Sequence, residues 1–193
     1  MAGRQFLPAR LRHQALGDVD SQRHAAYRRD RRSGQMGCGG AMTREAEIAE
    51  LVAAARAAMA NAHAPYSRFA VGAAVRLTDG SIVTGCNFEN ASYGLSLCAE
   101  TVALATVNAQ GRFADVAAIA VVGGAMDGAG QAIVTPCGRC RQVMNEAEQM
   151  AGRPLAIYCA TPDGGQIVEH SVAALLPHAF GPADLGITPV RKN

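Results

Sequence analysis

The chain has 193 residues, 49% of them apolar, with no tryptophan and a formal net charge of +2, which suits one globular domain with a sizeable core. No uninterrupted apolar run approaches the roughly 18 residues of a membrane span, and charges interrupt the N-terminal region too often for a secretory signal. Residues 1–42 carry eight Arg and three Asp, a net of +5, whereas residues 43–193 carry ten basic and thirteen acidic residues, a net of −3, so charge gives a nucleic-acid reading of the main region no support.

Residues 1–42 show no sustained hydrophobic period and end in Gly37-Cys38-Gly39-Gly40. They read as a basic, disordered arm, or as an upstream start with Met36 or Met42 as the true beginning. A third reading, an organellar targeting peptide, is opposed by Asp18, Asp20 and Asp30. Residues 43–193 form the domain. Thr43 caps a helix with Glu45 and Glu47 in its first turn, and Ile48, Leu51, Val52, Ala55 and Met59 recur at helical spacing up to a stop before Pro65. Val71, Ala73, Val75 and Leu77 alternate as a strand, Thr78-Asp79-Gly80-Ser81 turns, and residues 82–87 return. Ser96 is expected to cap a helix over residues 97–110. Residues 116–122 read as a buried strand. Thr135 followed by Pro136 is expected to open a helix running to about Met150. A second buried strand over residues 155–159, a turn at Asp163-Gly164-Gly165 and a short helix over 171–176 complete the pattern. Hairpin, then alternating helices and strands, predicts a layered α/β domain with a mixed sheet.

Six cysteines, two of them in Cys137-Gly138-Arg139-Cys140, point to metal or redox chemistry in a reducing compartment rather than a secreted disulfide scaffold. Cys137 and Cys140 share one face of a predicted first turn, and Cys98 lies at the start of another helix. All three thiols can project past two helix ends, where unpaired N–H groups and the positive dipole end lower thiol pKa values. Three converging thiolates suit zinc and leave a fourth position for water, the catalytic form of such a site. A lone C-x-x-C also fits a redox pair or half a zinc ribbon, but no second C-x-x-C is present. Cys86 and Cys159 read as small core residues, and Cys38 lies in the arm. Glu100 stands two residues after Cys98 at the head of an apolar run. A buried carboxylate is costly unless something uses it. From the first turn it can reach metal-bound water as a proton carrier without being a ligand.

Cys98-Ala99-Glu100 and Pro136-Cys137-Gly138-Arg139-Cys140 match the zinc-deaminase signature. With Tyr66–Ala74, Gly85–Gly94, Pro136–Gln142 and the tail Leu175–Leu185, the sequence resembles the small homotetrameric cytidine deaminases over residues 43 to about 186. The resemblance implies a three-layer α/β/α fold around a central mixed five-stranded sheet. It implies a Zn2+ enzyme of pyrimidine salvage, cytoplasmic, with active sites shared between subunits and with neither membrane nor nucleic acid as partner. It implies hydrolysis of cytidine and 2′-deoxycytidine by zinc-bound hydroxide, with Glu100 protonating N3 and helping the amine leave. Asn87 and Glu89 would hold the ribose hydroxyls. Ala91 and Tyr93 would contact a nucleoside in a neighbouring subunit. The Ala99 backbone would read the pyrimidine edge, Phe69 would line the base pocket, and Phe180 would cover it from another subunit. One departure stands out. Many relatives carry Arg directly after the catalytic Glu, where this chain has Thr101, so Arg139 or Arg141 is a candidate for balancing the thiolate charge.

Three other readings share part of the pattern. A blasticidin-S-type deaminase has the zinc motifs but usually lacks the stretch containing Asn87 and Glu89. A structural zinc module whose basic arm binds nucleic acid or a partner predicts a closed four-thiolate site and no use for Glu100. Polynucleotide deaminases usually place His at the position of Cys98 and carry a basic binding face.

Overall fold

The computed structural model describes residues 42–187. The three readings of the arm before Met42, and Cys38 with them, lie outside the described residues. Thr43 opens the first helix as expected. Its backbone is extended, and its hydroxyl accepts from the Ala46 N–H at 3.3 Å, satisfying one orphan donor of α1 (Arg44–Met59). β1 (Phe69–Leu77) and β2 (Ile82–Cys86) form the hairpin, with Gly80 at φ +84° in the turn, a conformation that glycine adopts without strain. The other helices are α2 (Ala99–Ala109), α3 (Gly138–Ala151) and the single turn α4 (Val172–Leu175).

β3 (Val116–Ala125), β4 (Ala156–Ala160) and β5 (Ile167–Ser171) complete one sheet in the order β2-β1-β3-β4-β5. β1 runs antiparallel to β2 and β3, β3 and β4 are parallel, and β5 is antiparallel to β4, so the sheet is mixed. α3 makes the crossover that a parallel pair requires. No helix among the described residues is long and apolar enough to cross a membrane.

The two faces of the sheet carry different side chains. Val75, Leu77, Ile119, Val121 and Ile157 point toward α2, α3 and α4, where they meet Leu104, Val107 and Met144. Leu104, Ile119, Met144 and Ile157 are fully buried, and each contributes roughly 1.5–3 kcal/mol by leaving water. The opposite face is paved with Ala74, Ala120, Val122 and Ala160, against which α1 lays Leu51, Val52 and Ala55. Small residues there let the helix approach the sheet backbone closely. A Cβ on Gly72 would overlap the Ala55 carbonyl oxygen.

Several sequence expectations need correction. Ser96 does not cap α2. Leu97 pairs with Phe88 in a β-bridge, which holds the chain extended until Cys98 takes the N-cap position; Ser96 Oγ accepts from the Asn90 N–H instead. Likewise Cys137, not Thr135, caps α3, and Thr135 Oγ1 accepts from Arg141. β1 does not alternate between core and solvent, because helices cover both of its faces. β5 lies where the pattern showed only a turn followed by a short helix; it is an exposed edge strand without an apolar stripe. Ser171 does cap the last helix, accepting from the Ala174 N–H. Cys159 is fully buried as expected, whereas Cys86 is half-buried and donates its thiol to the Asn61 carbonyl.

Candidate active site

The N-termini of α2 and α3 meet on the same side of the sheet, each headed by a cysteine with extended backbone at the N-cap position. Neither cysteine spends its side chain on capping, so both thiols remain free. Cys140 follows one turn into α3 on the same face as Cys137. Cys98 Sγ lies 3.7 Å from Cys137 Sγ, Cys137 Sγ lies 3.6 Å from Cys140 Sγ, and all three sulfurs fall within 4.8 Å of one another. These separations are far too long for a disulfide. They match a tetrahedral centre, where bonds of about 2.3 Å place sulfurs about 3.8 Å apart. The residues therefore fit zinc in donor type, number and spacing, and they leave one position open.

The electrostatics agree. The Cys98 thiol is pulled down to about 6, chiefly because Cys140 donates a hydrogen bond to it, with Cys137 and the Arg139 guanidinium helping. The Cys140 thiol, donating to Cys98 and fully buried, is pushed up. Three thiols this close cannot all ionise unaided, and a divalent cation removes that conflict. Arg139 reaches across to the Ser96 carbonyl at 3.3 Å, which places its charge near Cys98. Arg141 has a different task. It holds the carbonyls of Pro136 (2.7 Å) and Leu175 (2.8 Å), fixing the loop before α3 to the tail.

Glu100 is only 4% exposed, and burial raises its carboxyl above the usual range. It lines a pocket of about 160 Å3 with Phe69, Val71, Asn87, Cys98, Ala99, Val121, Val134, Thr135 and Cys137. Six of the eleven expected site residues thus border one cavity: Phe69, Asn87, Cys98, Ala99, Glu100 and Cys137; Cys140 lies behind them, accepting a hydrogen bond from the Cys137 thiol. Asn87 is locked in place, accepting from the Val71 N–H at 2.8 Å and donating to the Phe69 carbonyl at 2.9 Å. Its second amide N–H remains available to a ligand.

Glu89 and Tyr93 border a second concavity of about 410 Å3 with Tyr66, Ser67 and Ser96. The segments 66–69, 87–89 and 96–98 contribute to both hollows, so the two lie side by side. Glu89 accepts from the Tyr66 and Ser67 N–H groups at 3.0 and 3.2 Å, and hydrogen bonding, first from the Ser67 side chain, lowers its pKa and keeps it ionised. Tyr93 is largely exposed and stacks edge-on against Tyr66 at 5.7 Å. Ala91 is exposed. Phe180 borders neither hollow; the residue is 61% exposed, while Gln142 and Asn145 of α3 donate to its carbonyl at 2.7 and 3.2 Å. Sequence reasoning missed Val134 and Thr135 as pocket walls. Their position just before the Pro-Cys motif was the available signal.

A model of the cytidine and deoxycytidylate deaminase zinc-binding region matches residues 45–152, a span that holds all three clustered cysteines and Glu100. The chain is 44% identical to a cytidine deaminase of Halalkalibacterium halodurans over 135 residues, 70% of this chain and 95% of that relative. It is 43% identical to a cytidine deaminase of Mycobacterium tuberculosis over 135 residues, 66% of this chain and 85% of the relative. The crystal structure of a cytidine deaminase from Burkholderia pseudomallei is similar with a TM-score of 0.61 at 44% identity, covering 72% of this chain and all of that one. With more than half of the sequence inside the family model and such relatives matched along most of their length, the chain belongs to the zinc-binding cytidine and deoxycytidylate deaminase family.

Proposed function

We propose that this chain is a zinc-dependent cytidine deaminase of pyrimidine salvage, hydrolysing cytidine and 2′-deoxycytidine to the uridines and ammonia. The observation that carries this reading is a buried carboxylate, Glu100, beside three cysteine sulfurs spaced for tetrahedral zinc, all opening on one pocket. Bound there, zinc supplies a Lewis-acidic position that activates water near neutral pH. With zinc in place, Glu100 would take one proton from the water that attacks C4 and pass it to N3. It would then take the second proton from the resulting C4 hydroxyl and pass it to the amino group as the C4–N bond breaks and ammonia leaves. Burial raises the pKa of Glu100, which favours a carboxyl able to hold a proton between the two transfers. Burial among apolar side chains excludes bulk water from the transfer.

The pocket of about 160 Å3 is smaller than the ~300–1,000 Å3 of most ligand sites, so it has room for part of a nucleoside. The pyrimidine sits there between Phe69 and the backbone of Ala99, and the sugar extends toward Asn87 and ionised Glu89, which bind the ribose hydroxyls. The assembly is a homotetramer with shared sites, in which Ala91, Tyr93 and Phe180 serve a neighbouring subunit. Exposed Tyr93 and Phe180 rings favour that arrangement. The clustered free thiols fit the reducing cytoplasm.

Incubation of the purified protein with cytidine, and separately with blasticidin S, tests the substrate. Uridine and ammonia from the first alone support the reading. Turnover of the second alone points to the blasticidin-type alternative, and bound zinc with no turnover of either points to a structural zinc module.

Two further results are expected. Phe180→Ala raises the KM for cytidine about 2- to 10-fold without changing zinc content, since an aromatic contact is worth roughly 0.5–1.5 kcal/mol beyond its area. Light scattering alongside the kinetics checks the shared site, which a fully active dilute monomer of the wild type would exclude. A chain beginning at Met42 matches the full chain in activity and assembly, because every motif tied to the chemistry lies downstream. A large loss in either would give the arm a function.

A further inference from the structure

Two threonines of α2 use their hydroxyls in different ways. Thr106 donates to the Val102 carbonyl one turn back at 2.8 Å, the ordinary habit of a threonine inside a helix. Thr101 instead sets its Oγ1 3.6 Å from the Cys140 sulfur on α3, contact distance for the larger sulfur atom. The carbonyl one turn back from Thr101 belongs to Leu97, which already accepts from the Phe88 N–H in the bridge preceding the helix. That pairing leaves the hydroxyl free for a neighbour across the helix interface.

The neighbour is the most deeply placed of the three sulfurs. Cys137 is exposed and Cys98 half-buried with Arg139 close by, whereas Cys140 is fully buried. Three thiolates around a doubly charged ion leave one excess negative charge. At Cys98 and Cys137 solvent, helix-end amides and Arg139 can share it. At Cys140 the Thr101 hydroxyl is the side-chain donor in place. A metal-bound thiolate has no proton to give, so the hydroxyl must be the donor once the ion is present.

We propose that Thr101 is a positioning residue of the zinc site, whose hydroxyl donates to the Cys140 thiolate and so holds both the sulfur's orientation and the ion. The assignment rests on zinc binding by Cys98, Cys137 and Cys140. Thr101 touches neither substrate nor reacting water; it acts through the sulfur. Partners that hydrogen-bond a metal ligand commonly change metal affinity by about 10- to 100-fold when removed.

Two pairs of variants isolate the hydroxyl. Thr101→Val keeps the shape of threonine, and Thr101→Ala differs from Thr101→Ser by one oxygen atom while favouring the helix more. Zinc release from each purified holoenzyme is followed with a chromogenic chelator, and the sulfur-to-metal charge-transfer band is recorded after cobalt(II) substitution. The expected result is release at least about tenfold faster from Thr101→Val and Thr101→Ala, with a shifted cobalt band in both. Thr101→Ser should keep the wild-type rate and band. Equal release from the Ala and Ser variants overturns the proposal, as does wild-type behaviour of Thr101→Val, while leaving the three-cysteine site intact. A wild-type protein that binds no zinc overturns both the site and the proposal.

Discussion

Glu100→Gln keeps its zinc and its fold and loses about 10²–10⁴-fold or more of its turnover. The substitution preserves size and planarity, so the first turn of α2 and the neighbouring thiols stay in place. It removes the carboxyl on which proton transfer in the pocket depends. Glu100 is almost completely buried in the first turn of a helix. A carboxylate kept there without a task would be a net cost, because burial disfavours its charge. Single-turnover kinetics with metal analysis on the same sample separate the alternatives. Loss of turnover with full zinc supports proton transfer by Glu100, and near-normal turnover contradicts it.

Gly85→Ala should damage the site from the other side of α2. Its added Cβ would stand 2.6 Å from the Ala103 nitrogen and 2.7 Å from the Ala99 carbonyl oxygen. Both atoms are helix backbone, so no side chain can swing aside to relieve the clash. Overpacking of this kind costs about 1–3 kcal/mol or more. At about 2–4 °C per kcal/mol for a chain of this size, the melting temperature falls by roughly 2–12 °C. The displaced helix carries Cys98, Ala99 and Glu100, so zinc affinity and turnover fall as well. Gly72→Ala is the control. Its Cβ would press on Ala55 and Met59 of α1, across the sheet from the thiols. It should destabilise the protein while zinc stoichiometry in the folded fraction stays normal. Equal zinc retention in the two variants would show that the α2 crossing at Gly85 does not set the site.

The zinc centre was legible because its cause is local. Cys137 and Cys140 are one helical turn apart, Cys98 heads a helix, and Glu100 interrupts an apolar run; each is a sequence-visible choice that makes little sense without a metal. The helix starts were less legible. Ser96 and Thr135 have the chemistry of caps, but Leu97 is committed to a bridge with Phe88 and Thr135 to Arg141, pairings that the folded loops set and the local cap pattern does not show. β5 was hidden because an edge strand needs no apolar alternation to pair with β4. Asn87 illustrates the same limit at the site itself. Its position in the motif marked it as a site residue, but only the fold shows its amide pinned between Val71 and Phe69. The contact between Thr101 and Cys140 joins residues 39 positions apart on two helices, and nothing in the local pattern of either announces it.

The most direct measurement is a zinc titration of the metal-stripped wild-type protein, with cytidine conversion followed by absorbance at each step. Turnover should rise in proportion to bound zinc and reach its maximum at one ion per chain, with Glu100→Gln binding the same single ion and remaining inactive. Deamination that persists in the fully stripped protein, or a protein that fills with zinc and never turns over cytidine, would contradict a water-activating zinc site built from Cys98, Cys137, Cys140 and Glu100.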